Sequence, residues 1–437
     1  MAFCMNGLIN ADYKPFPALT ALKYYHQPAH FKWSAQQPDE LELTNRYDFT
    51  DLSTVAHLSW QLWSTDGVLA AGKVALPSIA PGETASVKLE GLPAALSAPA
   101  SAGEIWLDVA LRQSSPTALL EAGHELAYEQ FAVSGTWQLP EAPVAGDSIE
   151  AEQYDGRILL SGDDWSMRFT RTARGLDHWK ARGKLLVDRP VLPDYWRAAT
   201  DNDQAAGLST PPLMNKHLGP SHIYKTALDT WQPTLELSQN ANTTVIRFAG
   251  KLLDGKARQE VTYTVYPDGA LEVGFAYEAL QELPQMMRVG TQWSLPREFD
   301  QIHWYGRGPE PTYRDRDEAP IGLYRTSLME NWIDYARPQE NGNKVDVRWI
   351  EVTNAHGVGL RVEGAQALSV NLLPWDAATL EAADYSWQLP EPRAAFLNID
   401  LAQMGVGGDN SWGRIAHPQY RLRDKAYSYR YRVTPIQ

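Results

Sequence analysis

Five carboxylates sit in short polar motifs suited to acid–base work: Asp201 and Asp203 in Thr200-Asp201-Asn202-Asp203, Glu310 after Gly306-Arg307-Gly308-Pro309, Glu340 in Pro338-Gln339-Glu340-Asn341-Gly342, and Asp409 in Gly407-Gly408-Asp409-Asn410. Paired acids are what glycoside hydrolysis needs. One protonates the leaving oxygen while the other, roughly 5–9 Å away, acts as base or nucleophile. Spacing along the chain does not say which of these acids meet. The structural reading therefore stands beside the chemical one: acids in a β-rich chain commonly cap turns or pair with arginine, as with Asp315 beside Arg316. The ten histidines are scattered, with no H-E-x-x-H and no G-x-S-x-G. Gly405-Val406-Gly407-Gly408 lacks a following Lys-Ser/Thr, so its glycines are expected to permit a tight loop with positive φ rather than to cradle phosphate. That loop runs into Ser411-Trp412, where an indole can either pack or stand out to stack on a sugar ring.

The elements that must position these groups read as strands. Period-two alternation dominates: Leu41 and Leu43 onward to Phe49 on odd positions, then Leu58, Trp60 and Leu62, then Ile105 through Leu111. Thr65-Asp66-Gly67 and Ala80-Pro81-Gly82 punctuate the runs. A linker, Leu139-Pro140-Glu141-Ala142-Pro143-Val144-Ala145-Gly146-Asp147, follows. Beyond it, Val261–Tyr266 and Leu271–Phe275 flank Pro267-Asp268-Gly269 as a hairpin. Val345–Trp349 pairs with Val358–Val362 through Asn354-Ala355-His356-Gly357. In the tail Tyr427, Tyr429, Tyr431 and Val433 face one way, and Ser428, Arg430 and Arg432 the other. Residues 29–138 read as an immunoglobulin-like β-sandwich and 148–437 as one large antiparallel sandwich. The stretch 1–28 reads as the end of another domain, with a short helix or ordered excursion from Pro15 to Tyr24.

Composition narrows the classes further. The 437 residues carry a net charge of −14, so no positive field exists to drive non-specific nucleic-acid binding. Cys4 is the only cysteine, which excludes an intrachain disulfide and leans towards a reducing cytoplasm. The start shows no basic-then-apolar secretory leader, and no apolar run approaches the ~18 residues of a membrane span. Sixteen tryptophans suit either a large β core or a protein that stacks on sugars.

Four segments, taken in order, resemble the C-terminal part of the large bacterial β-galactosidases of glycoside hydrolase family 2. The first is Phe3-Cys4-Met5-Asn6-Gly7-Leu8 with Ala11-Asp12 and Pro17-Ala18-Leu19. The second is Arg197-Ala198-Ala199-Thr200-Asp201-Asn202-Asp203. The third runs from Trp304-Tyr305-Gly306-Arg307-Gly308-Pro309 through Tyr313-Arg314-Asp315-Arg316 to Pro338-Gln339-Glu340-Asn341-Gly342. The fourth is Leu397-Asn398-Ile399-Asp400 with Gln403-Met404-Gly405-Val406-Gly407-Gly408-Asp409-Asn410-Ser411-Trp412.

The resemblance implies an all-β architecture: a TIM-barrel remnant, an immunoglobulin-like sandwich, then a large, galactose mutarotase-like β-sandwich. It implies that Trp412 and Asn6 contact the sugar, and that the Phe3 carbonyl and Asn6 help hold a sodium ion. Asp201 to Ser209 would form a loop at the pocket mouth. In the family a glutamate commonly follows G-x-G-P by one further residue; here that position is Pro311, with Glu310 one earlier. The family's two catalytic glutamates and its magnesium ligands lie upstream of Phe3, so no catalytic residue is carried over. The expectation is a component of a β-galactosidase acting on terminal β-D-galactosides such as lactose. It would work in the cytoplasm with a separate catalytic barrel chain or as a homo-oligomer, with no nucleic-acid or membrane partner. Three alternatives remain at this stage: a self-sufficient β-galactosidase using Glu340, Asp201 or Asp409; a non-catalytic galactoside-binding module; and, by fold analogy alone, a sugar mutarotase.

Overall fold

The computed structural model describes residues 7–92, 96, 103–142, 148–204, 219–240, 242–410 and 414–436. The chain divides into two compact units, Pro15–Trp137 and Met1–Lys14 with Gln138–Gln437.

In the smaller unit alternation builds two antiparallel sheets. One contains β1 (Ala29–Trp33), β2 (Glu40–Asn45) and β5 (Thr84–Lys88); the other runs β4 (Gly67–Ala75), β3 (Ala56–Ser64), β6 (Ile105–Gln113) and β7 (Glu125–Ser134). Leu41, Leu43 and Val87 from the first sheet share one core with Leu58, Trp60, Leu62, Leu107, Val109 and Leu111 from the second. Two sheets sharing one core make a β-sandwich. β2 stops at Asn45 rather than continuing to Phe49, which is exposed. Asn45 ends it by donating its side-chain amide to Thr50 O and Ile79 O and accepting from Tyr47 N. The helix Pro17–Tyr25 belongs to this unit, where Tyr24 Oη donates to Glu129 and the Gln27 side chain accepts from Tyr128 N.

The larger unit contains a five-stranded sheet, β8 (Glu150–Tyr154), β9 (Arg157–Ser161), β10 (Trp165–Thr170), β11 (Gly175–Ala181) and β12 (Lys184–Val187). A twelve-stranded antiparallel sheet follows: β13 (Leu192–Asp194), β14 (Thr234–Gln239), β15 (Thr244–Leu252), β16 (Ala257–Val265), β17 (Leu271–Ala279), β18 (Arg288–Pro296), β19 (Gln301–Arg307), β20 (Ile321–Ser327), β21 (Lys344–Thr353), β22 (Gly359–Leu373), β23 (Ala394–Gln403) and β24 (Ala426–Ile436). Its spatial order is β13-β18-β23-β22-β24-β17-β16-β15-β14, with β21, β19 and β20 branching from β22. The β16–β17 hairpin forms in the expected register, Val265 against Leu271, with Gly269 at φ +81. Phe169 and Trp179 of the small sheet meet Tyr263 and Trp293 of the large one at ring separations of 5.2 and 6.3 Å. On β24 the tyrosines face inward as expected, whereas Arg432 is also covered, donating to Pro140 O, Glu141 O and Glu272. Among the described residues no helix is long and apolar enough to cross a membrane.

Candidate functional site

Alternation on β22 and β23 sends Val370, Leu372, Leu397 and Ile399 into the apolar core, which leaves Ser369, Asn371, Asn398 and Asp400 on the opposite face. Pleated geometry alone would let water cover that polar face. Here crossing segments cover it instead, and all four polar residues are buried. Glu340 N donates to Ala198 O, which ties two of these segments together over the sheet.

Buried polar groups must find partners: Ser369 Oγ donates to Asn343 Oδ1, Asn398 Nδ2 donates to Asp194 Oδ2, and Arg288 faces three acids. Its Nη1 lies 2.9 Å from Asp194 Oδ2, its Nη2 3.0 Å from Glu340 Oε2 and its Nε 3.1 Å from Asp400 Oδ2. Glu340 Oε1 accepts from Asn371 Nδ2 at 2.7 Å and Gln403 Nε2 at 3.3 Å. Burial pushes the Asp400 carboxyl well above the usual carboxylate range despite Arg288; the neighbouring charges of Asp194 and Glu340 push the same way. Burial alone would depress the Arg288 guanidinium, but its three acids more than offset this and raise it.

Arg197 forms a second buried centre. Its Nε and Nη2 donate to the two oxygens of Asp203 at 3.1 and 3.0 Å; Nη1 donates to Met404 O and Nη2 also to Gly405 O at 3.0 Å. Burial opposes this charge, and Asp203 outweighs burial, so the guanidinium is raised above its ordinary value. Thr200 and Asp203 cap each other, Thr200 N to Asp203 Oδ2 and Asp203 N to Thr200 Oγ1.

These centres hold the base of the glycine loop. Asn202 Nδ2 donates to Val406 O at 3.0 Å. Asp315 accepts from Val406 N at 3.0 Å and Gly407 N at 2.7 Å, so it serves the loop's amides. The expectation of positive φ at Gly405, Gly407 and Gly408 is not met; none is among the positive-φ glycines. Their lack of a side chain matters for proximity. A Cβ on Gly405 would lie 2.5 Å from Asp315 Oδ2, and one on Gly408 would collide with Arg414 O. Asp409 Oδ1 lies 2.7 Å from His417 Nε2, and this hydrogen bond holds the Asp409 carboxyl below the usual range. Asp409, Arg414, Ile415, His417, Pro418 and Arg421 line a depression of about 280 Å³.

Two of the sequence-derived acids, Asp203 and Glu340, are thus buried and committed to arginines. Asp201 is exposed and exchanges hydrogen bonds with Gln339, its N to Oε1 at 3.1 Å and Oδ2 from Nε2 at 3.2 Å. Glu310 is half-buried, and its charge acts on Lys344 and Tyr335. Asp409 is exposed. Phe3, Asn6, Trp412 and the segment from Ala205 to Ser209 lie outside the described residues. Among the described residues no group of three or more His, Cys, Asp or Glu side chains could hold a metal ion.

Lys344 escapes the sequence reading. It is buried, donates from Nζ to Asn331 Oδ1 at 2.9 Å and Gly342 O at 3.1 Å, and lies 5.3 Å from the Trp304 ring centroid. Burial pulls its ammonium down to about 7, with Glu310 partly opposing the shift. Its only sequence signal is a lone cation entering the strand Lys344-Val345-Asp346-Val347.

The family described as "Beta galactosidase small chain" matches residues 161–433, and that described as "Beta-galactosidase, domain 4" matches residues 41–134. Among similar curated proteins, one named beta-galactosidase from Priestia megaterium is 30% identical over 99% of this chain and 41% of its own length. Another from Halalkalibacterium halodurans is 28% identical over 97% of this chain and 40% of its own. The chain therefore spans about two-fifths of the length of these relatives. A solved galactose 1-epimerase from Lactobacillus acidophilus aligns over 66% of this chain and 100% of its own, at 9% identity and a TM-score of 0.40.

Proposed function

Because this chain belongs to the β-galactosidase small-chain family, as the match over residues 161–433 establishes, we propose that it is the sugar-binding and assembly component of a β-galactosidase acting on terminal β-D-galactosides such as lactose. The observation that carries this reading is the anchored loop. Arg197, Asn202 and Asp315 fix Met404 through Gly407, seven or fewer residues before Ser411-Trp412. A loop fixed at its base is what a stacking tryptophan needs, since a site on a wandering loop loses binding free energy to ordering.

In this reading Trp412 and Asn6 contact the galactose. The Phe3 carbonyl and the Asn6 amide oxygen, both hard oxygen donors, are the proposed sodium ligands. Magnesium and the two catalytic carboxylates come from a barrel such as the part of the relatives that this chain does not span, and a retaining double displacement follows. The commitments of Asp203 to Arg197 and of Glu340 to Arg288 support placing the catalytic acids there rather than on this chain. Net charge and the single cysteine favour a cytoplasmic setting without nucleic-acid or membrane partners.

The test is hydrolysis of a chromogenic β-galactoside by the purified chain, alone and mixed with a family barrel chain. The expected result is turnover only in the mixture, lowered at least tenfold by Trp412→Ala and raised by sodium in wild type but not in Asn6→Ala. Turnover by the chain alone would overturn the proposal in favour of a self-sufficient enzyme. Absence of turnover in the mixture, with retained binding of galactosides, would leave a non-catalytic binding module.

A further inference from the structure

A second aromatic feature stands outside the network above. Trp387 is 79% exposed, the only tryptophan of the exposed class among the described residues, and Tyr385 beside it is 44% exposed. Their rings are parallel, 6.1 Å apart at an interplanar angle of 9°. Scattered exposed apolar side chains are ordinary, so exposure alone assigns nothing. The way this pair is held carries more information.

The rings sit on one tight turn, Ser386–Gln388, held by several backbone hydrogen bonds. Gln388 Oε1 accepts from both Asp384 N, at 2.8 Å, and Tyr385 N, at 3.1 Å. Gln388 N and Leu389 N donate to Tyr385 O and Ser386 O, and Ser386 N reaches Ala336 O in a separate segment. Beneath the turn Trp375 Nε1 donates to Pro390 O at 2.8 Å, and Trp375 meets Trp332 edge-on at 5.0 Å. Leu389, Leu380 and Ala198 complete that lower layer. With centroids 6.1 Å apart, the parallel rings are offset side by side, and most of the Trp387 indole is open to water.

A flat, apolar face set among exposed polar groups has a specific complement. Asp384, Gln388 and Glu391 are all exposed beside it and offer acceptors and donors. A pyranose ring combines a C–H face of about indole size with hydroxyls at its rim. In β-D-galactopyranose the axial 4-hydroxyl clears the opposite face, so several ring C–H groups turn together towards a stacking partner. A protein partner is the weaker fit. Stable chain–chain interfaces cover about 800 Å² per side around an apolar centre, whereas this patch is two rings bordered by charges.

We propose that Trp387, with Tyr385 parallel beside it, is a stacking platform for a pyranose ring of a β-galactoside. The choice of a galactoside rests on the family reading above; the platform itself rests on the geometry of the turn. Pre-ordering of the turn matters here because a single stacked ring gives little binding free energy, and a wandering backbone would forfeit it.

The experiment titrates methyl β-D-galactopyranoside and a β-linked galacto-oligosaccharide into the full chain without any barrel chain. Saturation-transfer NMR and tryptophan fluorescence follow wild type, Trp387→Ala and Trp387→Tyr. Binding in the millimolar range is expected for wild type, at least tenfold weaker in Trp387→Ala and partly restored in Trp387→Tyr. Thermal midpoints of the Trp387 variants should match wild type, since this side chain packs little. Equal binding by wild type and Trp387→Ala would overturn the proposal. So would absence of galactoside binding together with a Trp387-dependent loss of co-elution with a barrel chain, which would assign the patch to chain–chain contact. The hydrolysis assay fails or succeeds independently of these readouts.

Discussion

Arg197 grips both oxygens of Asp203, at 3.1 and 3.0 Å, from a position with no exposed surface, and the same guanidinium holds the carbonyls of Met404 and Gly405. The pair therefore serves two purposes, neutralising its own charge and fixing the base of the glycine loop. Arg197→Met should leave Asp203 buried without a counter-charge and cost about 3–5 kcal/mol. Arg197→Lys should recover only part of this, because one ammonium cannot span four acceptors in a fork. Urea unfolding of the three proteins measures both losses.

Gly405→Ala tests the reading that proximity, rather than backbone handedness, selects glycine here. The new methyl would start 2.5 Å from Asp315 Oδ2 and force the Asp315–Gly407 contact apart. A loss of about 1–3 kcal/mol is expected, typical of overpacking. Gly269→Ala, at φ +81 in the β16–β17 turn and crowded by Trp165, should be at least as costly. Little change in Gly405→Ala would show that the loop can yield.

Asp400 and Glu340 share Arg288 but should respond differently to neutralisation. The folded state raises the Asp400 carboxyl above its unfolded value, so its contribution is complete below about pH 4 and is lost as pH rises towards the folded value. Asp400→Asn removes that loss and should be as stable as wild type at pH 7, or more so. Glu340→Gln replaces one of two acceptor oxygens, Oε2 facing Arg288 or Oε1 facing Asn371 and Gln403, with a donor, and should be destabilising. A large loss in Asp400→Asn would mean that Asp400 is ionised in the fold.

Lys344 gives a pH signature of the opposite slope. Its folded value of about 7 lies below the ~10.4 of an unfolded lysine, so between these limits the unfolded chain binds more protons. Stability should therefore climb from about pH 7 to pH 9.5, by on the order of 3 kcal/mol relative to Lys344→Met. Above about pH 10 the stability of both proteins falls, because burial raises Tyr313 and Tyr429 well above 10.0 and the unfolded tyrosines ionise first, while the difference between them levels off. Parallel profiles for wild type and Lys344→Met would refute the assignment.

Much of the architecture was legible before any coordinates, because strands with one face in a core must alternate and turns need glycine or aspartate at particular places. Val261 to Phe275 illustrates this, since alternation and the Pro-Asp-Gly turn together specify one register. The motifs around Asp203, Glu340 and Asp409 were equally visible, but their environments were not. Whether Glu340 is a free acid or a structural one depends on Arg288 and Gln403 becoming register partners across β18 and β23, a matter of long-range pairing. Ser369, Asn371, Asn398 and Asp400 carried a faint hint: a polar face of short side chains, two amides, a hydroxyl and one carboxyl, without lysine, suits burial better than solvent. Lys344 lacked even that hint, since nothing local distinguishes a lysine pointing at Trp304 from one pointing at water.

The position of β24 has a consequence for the order of assembly. This strand, latest in the sequence, lies between β22 and β17 near the middle of the large sheet, and Gly359–Gly364 and Leu271–Glu278 both pair with it. A nascent chain can close hairpins such as β16–β17 as soon as they emerge, because their contacts are local. The two wings of the sheet can join only after residues 426–436 are made. Until then each wing presents an unpaired edge, the state most open to mispairing with neighbours or to proteolysis. A chain stopped just short of Ala426 should therefore fail as a whole sheet rather than lose a terminal strand, and the anchored loop would be lost with it.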